Sequence, residues 1–304
     1  MRKIIFFNHY HRGDLFTHKE FIRHLKQQLA GADFVFQYLH FNHPKVNKDL
    51  DIPLIGTPSN INDRDKFIER SFNTLLVNTW IGVWGDTEGY VGVNLDSLMM
   101  SWRHIYNKIN DYFDVAVSLE SNKEYYVPTL DESFFNVKSI DDFVNSNKNK
   151  KVLVCNGIPM SNQSFVGDMS DLLNPLANKY NDITWLCTKK FNTTESNILF
   201  TDDIIKDNDL YDFNAPWHDR QQNNCDLNEI SYLSRFCNVI IGKNSGPFVF
   251  CETKENFNNP DKTFISFTKW QTESLSHNIK YNCKYNIVLD HSYENLNKEI
   301  ENNL

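Results

Sequence analysis

Two loops hold most of the side chains able to do chemistry. The first follows an apolar opening run and reads Asn8-His9-Tyr10-His11-Arg12-Gly13-Asp14, just ahead of a helical pattern. A carboxylate in such a place can take a proton from a hydroxyl once partial desolvation lifts its pKa toward the working pH, so Asp14 is the candidate general base. An aspartate beside a glycine can equally be a helix N-cap. His9 and His11 rank behind Asp14 as bases and as hydrogen-bond partners for an acceptor. Arg12 can pair with Asp14 or with a phosphate.

The second loop lies between the buried run Asn238–Ile241 and a helix start at Gly246-Pro247. Gly242 permits a sharp turn, and Ser245 and Gly246 leave small side chains where a ligand must approach the main chain. Pro247 suits the first turn of a helix. Amides exposed there, with Lys243, Asn244 and the Ser245 hydroxyl nearby, attract an anion such as a diphosphate. An ordinary strand-to-helix connection is the competing reading. Asn156-Gly157 and Lys189 stand at the ends of two other apolar runs, Lys151–Cys155 and Ile183–Cys187, and join the candidate anion site. A third stretch, Asn78 to Gly92, combines glycines with large aromatics. Trp84 and Tyr90 can stack on a sugar face there, or simply pack on their own domain.

Something must bring these loops into place, and the hydrophobic pattern says what. Short apolar runs at Lys3–Phe7, Phe34–Leu39, Thr74–Asn78 and Val115–Leu119 alternate with amphipathic stretches such as Lys19–Leu29. The second half repeats the rhythm, with Ile198–Phe200, Thr263–Phe267 and Asn286–Leu289 as further runs and Leu227–Phe236 as a helix. Continuous rather than alternating apolar residues suit parallel strands covered on both faces, and the βαβα order gives an α/β fold. The polar segment Ser139–Lys150 precedes a second strand-and-loop opening, so the expected domains are 1–146 and 147–304. Two Rossmann-like, doubly wound domains facing a cleft are predicted, with ligands outside the carboxyl ends of the strands.

Composition narrows the function classes. A net charge of -8 argues against nucleic acid as a partner, because counterion release needs a basic face. The six cysteines form no CxxC pair and no zinc-like spacing, and several sit in apolar runs. The Asp-x-Asp triplets at Asp49/Asp51, Asp63/Asp65 and Asp207/Asp209 all fall in polar loops rather than at a strand end, so no metal and no cofactor are expected. The opening apolar run is too short for a signal peptide or a membrane span, which predicts a reduced, cytoplasmic protein.

The first strand with its Gly13-Asp14 turn, and Asn244-Ser245-Gly246-Pro247 in the second half, resemble the two signatures of the family 9 glycosyltransferases, the heptosyltransferase-like enzymes of the GT-B fold. Asp226–Phe236 is similar to the helix that precedes the second signature. That family has Asp-Thr-Gly-Pro where this chain has Asn244 and Ser245, and its histidine pattern after the turn is replaced by Phe248-Val249-Phe250-Cys251. The resemblance implies a metal-independent, inverting transfer of sugar from a nucleotide-activated donor to a glycan or lipid-linked hydroxyl acceptor. Asp14 would be the base, and His9, His11, Arg12, Trp84 and Tyr90 would lie near the acceptor. Asn156, Gly157, Lys189 and Gly242 to Gly246 would hold the donor. A nucleotide-sugar epimerase, or a non-catalytic nucleotide- or glycan-binding protein on the same scaffold, are the alternatives.

Overall fold

The computed structural model describes residues 1–8, 12–40, 44–55, 61–84, 94–157, 169–206, 226–243, 246–268, 275 and 278–304. The chain divides into two compact units, with the first boundary between Pro128 and Thr129. That is ahead of the polar segment expected to separate the domains. The helix Lys138–Ser146 goes with the second unit, where Ile140 is buried and the Tyr232 hydroxyl donates to Asp141 at 2.8 Å.

In the first unit β1 (Arg2–Asn8) leads into α1 (Arg12–Thr17) and α2 (Lys19–Gln28), then β2 (Phe34–His40) and the short β3 (Leu54–Ile55). A hairpin of β4 (Phe67–Ser71) and β5 (Thr74–Asn78) follows, then α3 (Ile81–Trp84) and α4 (Leu95–Phe113). The sheet order is β3-β2-β1-β5-β4, with β4 antiparallel to β5 and the other pairs parallel. Side chains alternate across a strand. On one face Ile5, Phe7, Leu39 and Leu76 form a buried cluster. On the other, the Phe6 ring meets Trp102 of α4 at 6.0 Å. Helix α4 buries Leu95, Leu98, Trp102, Ile105, Ile109 and Phe113, a spacing that draws one stripe along a helix. Asn94 caps its start by accepting from the Ser97 N–H at 2.9 Å, and Asp114 ends it in the left-handed region at φ 52°.

The strand expected at Val115–Leu119 is not one. The Asn110 side chain donates to the Val117 carbonyl at 2.9 Å and accepts from its N–H at 2.8 Å, so a side-chain amide supplies what a neighbouring strand would have supplied.

The second unit contains α5 (Lys138–Ser146), β6 (Lys150–Cys155), α6 (Ser170–Lys179), β7 (Ile183–Cys187), β8 (Ile198–Phe200) and α7 (Thr201–Ile204). It continues with α8 (Leu227–Ser234), β9 (Val239–Lys243), α9 (Gly246–Cys251), α10 (Lys254–Phe257), β10 (Thr263–Phe267), β11 (Lys284–Val288) and α11 (Tyr293–Glu301). All neighbours in the sheet β11-β10-β9-β6-β7-β8 are parallel. One face packs Val152, Val154, Trp185, Ile241 and Phe267 against α6 and against Leu296 and Ile300 of α11. This order, with two strands to one side of the starting strand β6 and three to the other, is the dinucleotide-fold order. Both units are thus the α/β, Rossmann-like structures that the apolar runs predicted.

Candidate functional site

In each sheet the chain winds outward from a starting strand and later returns to its other side. The crevice at such a reversal, outside the carboxyl ends of the two strands, is where open α/β sheets bind ligands. In the first sheet the reversal lies between β1 and β5, and in the second between β6 and β9.

Asp14 sits at the first reversal. It lies in the first turn of α1, inside the helix rather than at its N-cap, and is 7 % exposed. Its Oδ2 accepts from the Ile81 backbone N–H at 3.2 Å, so the chain leaving β1 is tied to the chain leaving β5. Burial pushes the carboxyl up to about 7, against the pull of the Ile81 and Asp14 backbone N–H groups toward the ionised form. A carboxyl balanced near neutrality is what proton abstraction from a hydroxyl requires. Arg12 is partly exposed, and burial and backbone N–H groups, not the Arg12 guanidinium, set the state of the Asp14 carboxyl.

The turn that presents Ile81 is held at each step. The Thr79 N–H donates to the Phe7 carbonyl at 2.9 Å, and Asn8 Nδ2 donates to the Thr79 carbonyl at 3.4 Å. The Trp80 N–H donates to Asn78 Oδ1 at 2.9 Å, while Asn78 Nδ2 donates to the Asp63 and Asp65 carbonyls.

Trp84 corrects the expectation of a sugar-stacking ring. It is 1 % exposed, its Nε1 donates to the Asn78 carbonyl at 3.1 Å, and its ring packs against Phe67 and His104. His9, His11 and Tyr90 lie outside the described residues.

At the second reversal, Asn156 follows β6. Its Oδ1 accepts from the Lys189 N–H at 2.8 Å and its Nδ2 donates to the Lys189 carbonyl at 2.9 Å, so the amide fastens the exit of β7 to that of β6. The Lys189 side chain is exposed, and a Cβ on Gly157 would meet nothing within 4 Å. Helix α9 starts at Gly246, as the sequence pattern predicted, while Asn244 and Ser245 lie outside the described residues.

Gly242 and Lys243 need correction. Both belong to strand β9 rather than to a turn. A Cβ on Gly242 would fall 2.4 Å from Phe248 Cδ2 and 2.9 Å from Cys155 Cβ, so the glycine is required by close packing of α9 and β6 on β9. Gly242→Ala is therefore expected to destabilise the protein by roughly 1–3 kcal/mol through overpacking. A Cβ at Gly246 would only touch Leu227 at 3.7 Å, so Gly246→Ala should lie within about 0.5 kcal/mol of wild type. Urea midpoints of the two variants check both. Lys243 is 1 % exposed at the last position of β9, so its side chain is part of the interior and not a solvent-facing cation.

Several residues beside Asp14 escaped the sequence reading. The Lys19 ammonium lies 2.5 Å from Asp49, with both side chains fully buried, and Arg23 joins Asp49 at 2.7 Å and also pairs with Glu20. This network pins the start of α2 to the 3-10 turn Pro44–Leu50. The one signal for it was Lys19 falling on the same helix face as Ile22, where a lysine needs a partner. His18, also fully buried, accepts from Trp102 Nε1 at 2.6 Å, and burial pushes its imidazole down to about 3. It is a neutral structural group. Among the described residues no helix is long and apolar enough to cross a membrane.

No protein-family model matches the chain, and no curated protein sequence does. Similar solved structures include a family 9 glycosyl transferase from Veillonella parvula DSM 2008, with 10 % identity, TM-score 0.46, and 99 % of this chain and 91 % of that one covered. The E. coli ADP-heptose LPS heptosyltransferase II gives 10 % identity and TM-score 0.47 over 99 % of this chain and 98 % of that one. E. coli heptosyltransferase WaaC with ADP gives 8 % identity and TM-score 0.42 over 99 % and 100 %. At this level of similarity the role of each residue rests on the geometry above.

Proposed function

We propose that the chain is a metal-independent, inverting glycosyltransferase that moves a sugar from a nucleotide-activated donor to a hydroxyl of a glycan or lipid-linked acceptor. One observation carries the reading: a buried carboxyl, Asp14, poised at about 7 at the reversal between the parallel strands β1 and β5 and aimed by a backbone N–H. Asp14 takes the acceptor's hydroxyl proton. The oxygen attacks the anomeric carbon from the face opposite the diphosphate, and the C–O bond to the diphosphate breaks with its electron pair on the leaving group. We assign the donor diphosphate to the second unit's reversal, with Gly157, Lys189 and the amides around Gly246 as its neighbours. Several donors must act together, since one helix end contributes only about 0.3–2 kcal/mol. Asp49 is excluded as a metal ligand in this reading because Lys19 and Arg23 already hold its carboxylate.

A thermal-shift screen against UDP, GDP, ADP, CMP and dTDP sugars tests the class. Sugars of one nucleotide are expected to raise the melting temperature by a few degrees, since a ligand at about 100 times its Kd adds about 2.7 kcal/mol. The selected donor, incubated with acceptor glycans, should then yield a product of inverted anomeric configuration. Donor binding without transfer would favour a non-catalytic role, and interconversion of the donor alone would favour an epimerase. A flat screen would overturn the proposal.

A further inference from the structure

We propose that Thr79, held by Tyr38, is a positioning residue that fixes the Ile81 N–H on the Asp14 carboxylate. The Thr79 hydroxyl donates to the Phe7 carbonyl at 3.3 Å, so its own oxygen is left to accept from Tyr38, whose hydroxyl lies 2.5 Å away. The resulting chain, Tyr38 O–H to Thr79 O–H to the Phe7 carbonyl, stitches the carboxyl ends of β2, β5 and β1 together. Thr79 and Tyr38 are fully buried. Two residues beyond Thr79 comes the N–H that reaches Asp14. A buried hydroxyl chain is worth forming only if both ends are satisfied, and here its effect is to stop the 79–81 turn from sliding along β1.

The surroundings leave few other groups to orient the carboxylate. Among the described residues, Tyr38 on β2 feels the charge of Asp14, and Arg12 stands two positions ahead of Asp14 on α1. On α2, His18 faces Trp102 and Lys19 faces Asp49. The segment Asn78–Ile81 carries no ionisable side chain, and β1 ends in Asn8. A backbone donor held by buried hydroxyls is therefore the main device for keeping Asp14 ionisable at this depth.

This inference deepens the reading of Asp14 as general base and is tested without relying on it. The Asp14 midpoint is followed in the free protein by 13C NMR of side-chain-labelled aspartate, the resonance being the one lost in Asp14→Asn. Thr79→Val and Tyr38→Phe are each expected to move the midpoint upward by roughly one unit, because a loosened hydrogen bond no longer favours the carboxylate. Thr79→Ser keeps a hydroxyl and should restore the wild-type midpoint. Where transfer is measurable, the acid limb of kcat should move with it, lowering the rate at pH 7 about fivefold. Tyr38→Phe retains the ring and decides the matter alone if Thr79→Val does not fold. Unmoved midpoints in the folded variants overturn the positioning role, whatever the transfer assays show. Moved midpoints in a protein that transfers no sugar uphold the positioning and overturn the function.

Discussion

Asp14→Asn is expected to abolish sugar transfer and to make the protein more stable at pH 8. Loss of a general base lowers the rate by about 10²–10⁴. Donor-induced thermal shifts should survive, because the proposal assigns the donor to the second unit and Asp14 belongs to the first. The stability gain follows from linkage. Folding raises this carboxyl from its ordinary 3.8 to about 7, so between those pH values the folded state holds the proton more often than the unfolded state does. Stability contributed by the group is therefore fully present below pH 3.8 and lost as pH rises toward 7, with no further change above it. The displacement corresponds to about 4 kcal/mol at most. Asparagine avoids that cost but must bury an amide, so a gain of about 1–3 kcal/mol, or roughly 3–10 °C in melting temperature, is expected at pH 8. At pH 4 the gain should vanish. Melting curves of both proteins from pH 4 to pH 8 decide it: parallel curves would mean that Asp14 is not buried in the unfavourable state described. Active-site groups held against the stability of the fold are a recurring trade.

The second large effect concerns the buried pair next door. Asp49→Ala is expected to destabilise the protein by about 3–5 kcal/mol, since it leaves the fully buried Lys19 ammonium without its counterion. Burial already holds the Lys19 ammonium below the ordinary lysine range, with Asp49 pulling it back up. Replacing both partners by apolar residues, as in Lys19→Met with Asp49→Leu, should recover most of the loss, because no uncompensated charge is then buried. Urea midpoints of the singles and the double measure the coupling. If Asp49→Ala matches wild type, the pair is not closed from water as described.

Strands made of continuous apolar residues were legible from sequence, and β7, β8 and β10 fall where the apolar runs begin and end. Strand β4 was not, because Phe67–Ser71 is an edge strand with Glu69 and Arg70 turned to solvent, so burial left no pattern to read. The place of Asp14 just after the first strand was legible, but its burial inside α1 was not, because an aspartate beside a glycine reads equally as a helix N-cap. Its partner was not, since the N–H of Ile81 is common to every residue and only the fold says which one points at a carboxylate. Gly242 and Trp84 show the opposite failure. Glycine serves close packing as well as turns, and a tryptophan buries its ring as readily in protein as on a sugar. Residue type alone could not separate those uses.

The position of β6 has a consequence for how the molecule comes into being. Its partners are β7, close by in sequence, and β9, whose contact with it at Lys151 and Asn238 spans 87 residues. During synthesis the middle strand of that half therefore stands with one unsealed edge until the chain through Lys243 has left the ribosome. Chaperones that shield bare strand edges would have their longest opportunity there, and a chain terminated ahead of Val239 would keep the exposed edge for good.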